Sequence, residues 1–333
     1  MPDTIALIGG ETLLGKEVRE VLAATELGGR VRLVASGEED SGTLTEIDGA
    51  AAFLAKLDPE DIEGARVLIL AGTAESSATA IAANPSGLVV DLTLATEDEP
   101  DARIRAPQVE NPDFDGAAPG SQSAGPQIVA HTAAIVIAMV LRQINRNFPI
   151  ARAIVHIFEP ASERGTAGIE ELQQQTVNLL SFQPLPKKVF DAQLAYSLLA
   201  QLGPEAPTRL ADVEDRIERH LATLLERMDG PPMPSLRLIQ APVFHGYTFS
   251  FWIEFEETPA APDLEDALSH EPFDLRGADL EPPNNVGIAG QSGVSVGAIA
   301  PDRNNSSAFW LWAAADNLRL AAETAALIAA EVL

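Results

Sequence analysis

Cysteine is absent from all 333 residues. With it go disulfides, thiolate zinc sites, iron–sulfur clusters and any thiol nucleophile. Positive charge is scarce: 22 Lys and Arg face 49 Asp and Glu, a formal net charge of −27. Such a chain repels phosphate backbones and anionic headgroups, so neither nucleic acid nor a membrane surface is an expected partner. Long apolar runs are missing as well. The longest, residues 128 to 141, contains His131 and Thr132 and stops at Arg142, short of the roughly 20 residues that cross a bilayer. The N-terminal MPDTIALIGGE carries an acid where an export signal needs Lys or Arg, so the expected location is the cytoplasm. Nor is a metal expected. The five histidines, His131, His156, His220, His245 and His270, include no pair at HExxH-type spacing. No GxSxG elbow precedes a helix, so a Ser/His/Asp arrangement has no support.

What is present is ordinary globular composition, 46% hydrophobic and 21% charged, in a length that suits two domains of roughly 100 to 200 residues. TIALI, GGETLLG, KEVREVLAA and VRLVAS read as strand, glycine turn, helix and strand. The pattern returns as ARVLILAG (65 to 72), a small-residue helix through Ala83, and GLVVDLT (87 to 93). Alternating strands and helices predict a Rossmann-type, doubly wound parallel sheet. Residues 113 to 126 are rich in Gly, Pro, Ala and Ser and read as a linker before an apolar helix starting near Thr132. Beyond it come strands at 151 to 160 and within 236 to 257. Helices are expected at 168 to 180, with Ile169, Leu172, Thr176 and Leu179 on one stripe, and at 209 to 228 with a solvated charged face. This predicts an α+β second domain with a largely antiparallel sheet. Residues 258 to 283 read as surface loops. The last segment is predicted to be a helix, with Leu318, Ala322, Ala325, Ala329 and Val332 apolar, that packs back on the first domain. The expected division is 1–131 plus 318–333 for the nucleotide-binding domain and 132–317 for the second.

The glycine turn carries the first chemistry. Backbone N–H groups there, with the helix N-terminus behind them, suit a pyrophosphate. Gly9 and Gly15 hold the outer positions of the fingerprint, but Thr12 stands at the middle one beside Glu11. Thr12 also suits a helix cap. After the second strand, SGEED (36 to 40) places Glu38 or Glu39 where an acid accepts a ribose hydroxyl and offers no arginine for a 2′-phosphate. NAD is therefore favoured over NADP. Among the histidines, His131 and His245 are the two placed near a cleft.

Several blocks, in order, resemble the aspartate-semialdehyde dehydrogenase family. They are IALIGGETLLGKEV at the start, SERGTAGIEELQQQT (162 to 176), QAPVFHGY (240 to 247), GVSVGAI (293 to 299) and WAAADNLRLAA (312 to 322). The resemblance implies a Rossmann domain that includes the C-terminal helix and a second domain whose large sheet forms a homodimer. It implies contacts to NAD or NADP at Gly9, Thr12, Leu13, Leu14, Gly15, Ser36 and Gly72. The family's reaction is reductive dephosphorylation of β-aspartyl phosphate through a cysteine acyl-enzyme. It needs a thiolate, a base, and arginines for carboxylate and phosphate. The chain departs at each point. The matching segment AHTAAIV (130 to 136) puts Thr132 at the cysteine, Tyr247 replaces the histidine and Gln240 the substrate arginine. Val136 replaces a glutamine, Glu97 a phosphate-binding arginine, and Leu210 and Asp212 a glutamate and a lysine. Losing the nucleophile removes covalent turnover. The resemblance is thus to a Usg-like member that also lacks the cysteine, a pseudoenzyme acting as a homodimer or as a heterodimer with an active paralogue. The alternative is a rebuilt oxidoreductase in which His131 or His245 serves Thr132 as base.

Overall fold

The computed structural model describes residues 4–37, 42–47, 49–84, 86–110, 125–226 and 230–333. Glu38, Glu39 and residues 113 to 124 of the expected linker lie outside them. The chain divides into one unit of Met1–Ala130 with Ala321–Leu333 and a second of His131–Leu320.

In the first unit the order is β1 Ile5–Ile8, α1 Leu13–Ala23, β2 Val31–Val34, β3 Leu44–Ile47, β4 Ala50–Phe53, α2 Pro59–Ile62, β5 Val67–Leu70, α3 Ala74–Ala83, β6 Leu88–Asp91, β7 Arg103–Arg105 and β8 Gln127–Val129. Six strands form a sheet in the order β2-β1-β5-β6-β8-β7, every pair parallel. IALI and VLIL are apolar at every position because both faces are covered. Ile5, Leu7, Leu33, Val67 and Ile69 face one way, onto Val18 and Leu22 of α1 and onto Ala322, Ala325 and Ile328 of the C-terminal helix. Ala6, Ile8, Val34, Leu68 and Leu70 face the other, onto Ile62 and Ala80. The hairpin β3–β4 was not expected. Its Leu44 and Phe53 are exposed, so it lacks the buried alternation by which a strand is recognised.

The second unit contains α4 Thr132–Asn145, β9 Ile150–Glu159, α5 Gly165–Leu180, α6 Leu210–Glu226, β10 Ser235–Gln240, β11 Tyr247–Phe255, α7 Ala261–Ala267, β12 Phe273–Arg276, α8 Asn285–Ile288, β13 Val294–Pro301, β14 Ala308–Ala315 and the start of α9 Asn317–Ala330. Its sheet runs β10-β9-β11-β14-β13-β12, antiparallel in the three central pairs and parallel at both ends. One face is core: Val155 and Ile157 of β9 and Tyr247, Phe249 and Phe251 of β11 are fully buried, and α4 and α6 lie against β9 and β10. The other face presents Ile154, Phe158, Trp252, Trp310 and Trp312, none of them buried. Trp252 and Trp310 both donate their indole N–H to Asp302.

Two expectations here need correction. Residues 258 to 283 are not only loop, because α7 and the edge strand β12 lie within them. In α5 the inward face is polar: Glu171 and Gln175 are buried, whereas Ile169, Thr176 and Leu179 are only partly so. The cause is the stretch from 181 to 209, which has almost no regular structure and so needs partners for its backbone. Glu171 accepts the N–H groups of Val189 (2.7 Å) and Phe190 (3.1 Å). Gln175 accepts those of Leu194 and Ala195 and donates to the carbonyls of Pro186 and Ala192. Among the described residues no helix is long and apolar enough to cross a membrane.

Glu171→Ala strands two buried amides and should cost about 2–4 kcal/mol in urea unfolding. A loss below about 0.5 kcal/mol, the range of an ordinary surface change, would contradict this role.

Candidate functional site

The polar interior of the second unit forms where β9 and β10 end and β11 and α4 begin. Glu159 closes β9 with no exposed surface. Its Oε2 accepts Nη2 of Arg164 at 2.9 Å and its Oε1 lies 3.4 Å from Arg164 Nη1. Burial pushes the Glu159 carboxyl up and Arg164 pulls it part of the way back. Gln240, paired with Glu159 across the β10–β9 ladder, donates its Nε2 to the Glu159 carbonyl at 2.8 Å. The Tyr247 hydroxyl lies 3.5 Å from Glu159 Oε1. Burial, then the neighbouring carboxylates of Glu163 and Glu159, hold Tyr247 well above the ordinary phenol range. Two buried atoms in this group have no partner among the described residues, Arg164 Nε and Gln240 Oε1.

A second cluster centres on Asn317, the first residue of α9. Its Nδ2 donates to Glu163 at 2.7 Å, and its Oδ1 accepts the Gly246 N–H at 3.1 Å. Its backbone carbonyl accepts the Thr132 hydroxyl at 3.1 Å, the one hydrogen bond that hydroxyl makes with a described residue. A peptide carbonyl takes no proton, so Thr132 has no activating base. His131 caps α4: its Nδ1 accepts the Ala133 N–H at 3.3 Å. The ring proton therefore belongs on Nε2, which stands 4.0 Å from Glu163 Oε2. The ring also lies beside Tyr247, centroids 6.1 Å apart. Behind it, buried His220 of α6 accepts the His131 backbone N–H at 2.9 Å.

Glu163 is the group most displaced within reach of neutral pH. Burial raises its carboxyl to about 7, repulsion from Glu159 adds to this, and Asn317 and Arg164 oppose it. The folded value lies above the unfolded one, so the native state retains more protons through the window between them.

In the first unit the expected nucleotide residues meet where the turn after β1 approaches the ends of β2 and β5. Thr12 caps α1 by accepting the Gly15 N–H at 2.9 Å, and its hydroxyl proton faces the carbonyls of Gly9 (2.9 Å) and Ala71 (2.8 Å). The N–H groups of Leu13 and Leu14, next in α1, make no hydrogen bond with a described residue. Packing alone demands the glycines. A Cβ on Gly15 would stand 1.9 Å from the Gly9 carbonyl oxygen, and one on Gly72 would stand 2.9 Å from Ser36 Cβ. Glu11 accepts the Ser36 N–H at 3.0 Å and also its hydroxyl, and leaves its other oxygen buried and unpartnered. Two free amides at a helix start suit a pyrophosphate. A carboxylate already bound at Ser36 does not suit a further phosphate.

Thr132, Gln240 and Tyr247 thus converge in the second unit, and Gly9, Thr12, Leu13, Leu14, Gly15, Ser36 and Gly72 in the first. Other positions stand apart. His245 is partly exposed and its ring makes no hydrogen bond with Thr132 or any other described residue, so it is not poised as a base. Val136 is buried in α4 and Leu210 in α6. Asp212 is exposed beside Arg209, and Glu97 lies on the turn after β6. The sequence reading missed Glu159, Glu163, Arg164, His220 and Asn317. Its one usable signal was acid and arginine packed into FEPASERG directly after an apolar strand. No group of three or more His, Asp or Glu among the described residues is placed to hold a metal.

Glu163→Gln removes the burden of a buried charge. The variant should gain on the wild type by about 1–3 kcal/mol as pH rises from about 4.5 to above 7. A stability difference that stays flat across that range would contradict the assignment.

Residues 141–320 match the family described as semialdehyde dehydrogenase, dimerisation domain. Over the full length the chain is 25% identical to an aspartate-semialdehyde dehydrogenase of Prochlorococcus marinus, covering 100% of this chain and 96% of the relative. A USG-1 protein homolog of Pseudomonas aeruginosa is 31% identical over 173 residues, 52% of this chain and 51% of its own. The structure of a probable aspartate-semialdehyde dehydrogenase from Pseudomonas aeruginosa superposes with a TM-score of 0.84 at 24% identity, covering 100% of this chain and 98% of that one. With the family match spanning more than half of its residues, the chain belongs to the aspartate-semialdehyde dehydrogenase family.

Proposed function

We propose that this family member does not carry out dehydrogenation and works instead as a dimeric binding or regulatory protein. The observation that carries this is Thr132. At the position that the resemblance assigns to the nucleophile, a hydroxyl donates to the Asn317 carbonyl with no base in reach, in a chain without cysteine. The surroundings agree. Covalent turnover of an acyl phosphate requires positive charge for carboxylate and phosphate. Here Gln240 spends its amide on the Glu159 carbonyl, and the one arginine in the network is paired with Glu159.

Cofactor binding is a separate property. The Leu13 and Leu14 amides support a pyrophosphate, and Glu11 on Ser36 favours NAD, because a 2′-phosphate beside that carboxylate is repelled. When bound, the nicotinamide supplies a hydride acceptor. The chain's own residues hold its phosphates and offer no acyl-enzyme to oxidise. NADP binding more tightly than NAD in calorimetry would contradict the preference.

Dimerisation is supported by the matched dimerisation domain and by the tryptophan-bearing sheet face. Homodimers form by covering such a face on both copies. A heterodimer with a catalytically complete relative would use the same face.

Purified protein incubated with aspartate semialdehyde, phosphate and either NAD or NADP should form reduced cofactor no faster than its Thr132→Ala variant. Turnover that this variant loses would establish a rebuilt dehydrogenase instead. Trp310→Arg, which places charge at the centre of the open face, should convert dimers to monomers in light scattering. A dimer that persists would locate the interface elsewhere.

A further inference from the structure

Within the first unit, the end of α1, the turn that follows it and the last part of α9 line a cavity of about 590 Å³ that opens to solvent. Small-molecule sites run to roughly 300–1,000 Å³. Neither the nucleotide turn nor the network around Glu159 includes it. Its walls are largely apolar, supplied by Val21, Leu27, Ala326, Ala330 and Leu333. Left to water, such walls lose the dispersion contacts that a fitted occupant restores.

Thr25, Glu26, Arg30, Gln108 and Glu323 interrupt the walls, and three of these polar groups set the ligand's chemistry. Arg30 and Glu26 stand four residues apart on the turn, both line the cavity, and neither side chain makes an ion pair or hydrogen bond with a described residue. Opposite charges close in sequence, neither paired with a described residue, form a site with two poles. The third group is Gln108. Its Nε2 donates to the Thr324 hydroxyl at 2.7 Å, and its Oε1 is buried with no partner among the described residues, an acceptor that lacks a donor there.

We propose that this cavity binds a free α-amino acid with an aromatic or long aliphatic side chain. Its carboxylate pairs with the Arg30 guanidinium and its ammonium with Glu26, and its side chain lies along Leu27, Ala326 and Ala330. Charge complementarity selects this class over its neighbours. A simple carboxylic acid uses Arg30 but faces Glu26 and Glu323 on the cavity wall, in a protein whose formal charge of −27 already repels anions. A simple amine uses Glu26 and meets Arg30 unpaired. A zwitterion carries no net charge to the surface and satisfies both poles.

Calorimetry and saturation-transfer NMR on the full chain, with L-phenylalanine, L-leucine, octanoate and phenethylamine as probes, test this. The two amino acids should bind with sub-millimolar dissociation constants, and octanoate and phenethylamine at least tenfold more weakly. Arg30→Ala removes a charge-assisted pair and should weaken phenylalanine binding about tenfold or more. Ala326→Trp should abolish it by filling the space. If that variant does not fold, Leu327→Trp does the same from a position already 44% exposed. Absence of amino-acid binding, octanoate binding as tightly as phenylalanine, or binding unchanged by both Arg30→Ala and the filling substitution would each overturn the proposal.

Discussion

The Glu159 carboxylate, withdrawn completely from water and held by one arginine, is the charge on which the polar interior of the second unit depends. A buried carboxylate is tolerated only where a cation and hydrogen bonds compensate it, and the local chemistry follows from that need. Arg164 turns both terminal nitrogens to Glu159 and is therefore unavailable as a free anion site. Tyr247 remains a neutral phenol because it is buried and two carboxylates lie near it. Glu163, the second acid, is driven toward neutrality by the same burial and by Glu159 itself. The interior thus holds one carboxylate paired with its only arginine and a second acid driven toward neutrality, and it offers none of the free positive charge that a phosphorylated dicarboxylate requires.

Asn317 links this charge to the start of α4. One side chain joins Gly246 and Glu163, and its carbonyl receives Thr132. Thr132, which the sequence resemblance sets at the nucleophile's place, is consequently a structural tie. His131 is likewise spent in part, since its Nδ1 caps the helix that Thr132 begins. The glycine turn of the first unit conveys a related lesson. Its glycines are required by the approach of one loop to another, so their presence does not establish that a nucleotide binds. The free amides of Leu13 and Leu14 are the better indicator.

The parallel sheet was legible because IALI and VLIL are apolar at every position, as strands covered on both faces must be. The long strands of the second sheet were legible from β-branched and aromatic runs. The network was not. Its members come from residues 131, 159, 163, 220 and 317, which only the fold assembles, and an acid ending a strand reads as a strand boundary. The inward face of α5 was misread because its burial serves the amides of an irregular segment and not an apolar core. His220 was read as part of a solvated helix face, although it is fully buried behind His131.

The central claim, that Thr132 forms no covalent intermediate, can be tested directly by intact-mass and peptide analysis. The protein is incubated with aspartate semialdehyde and oxidised NAD or NADP in the absence of phosphate, so that an acyl-enzyme, once formed, has no acceptor. The account predicts an unmodified chain. An aspartyl ester mapped to Thr132 would contradict it.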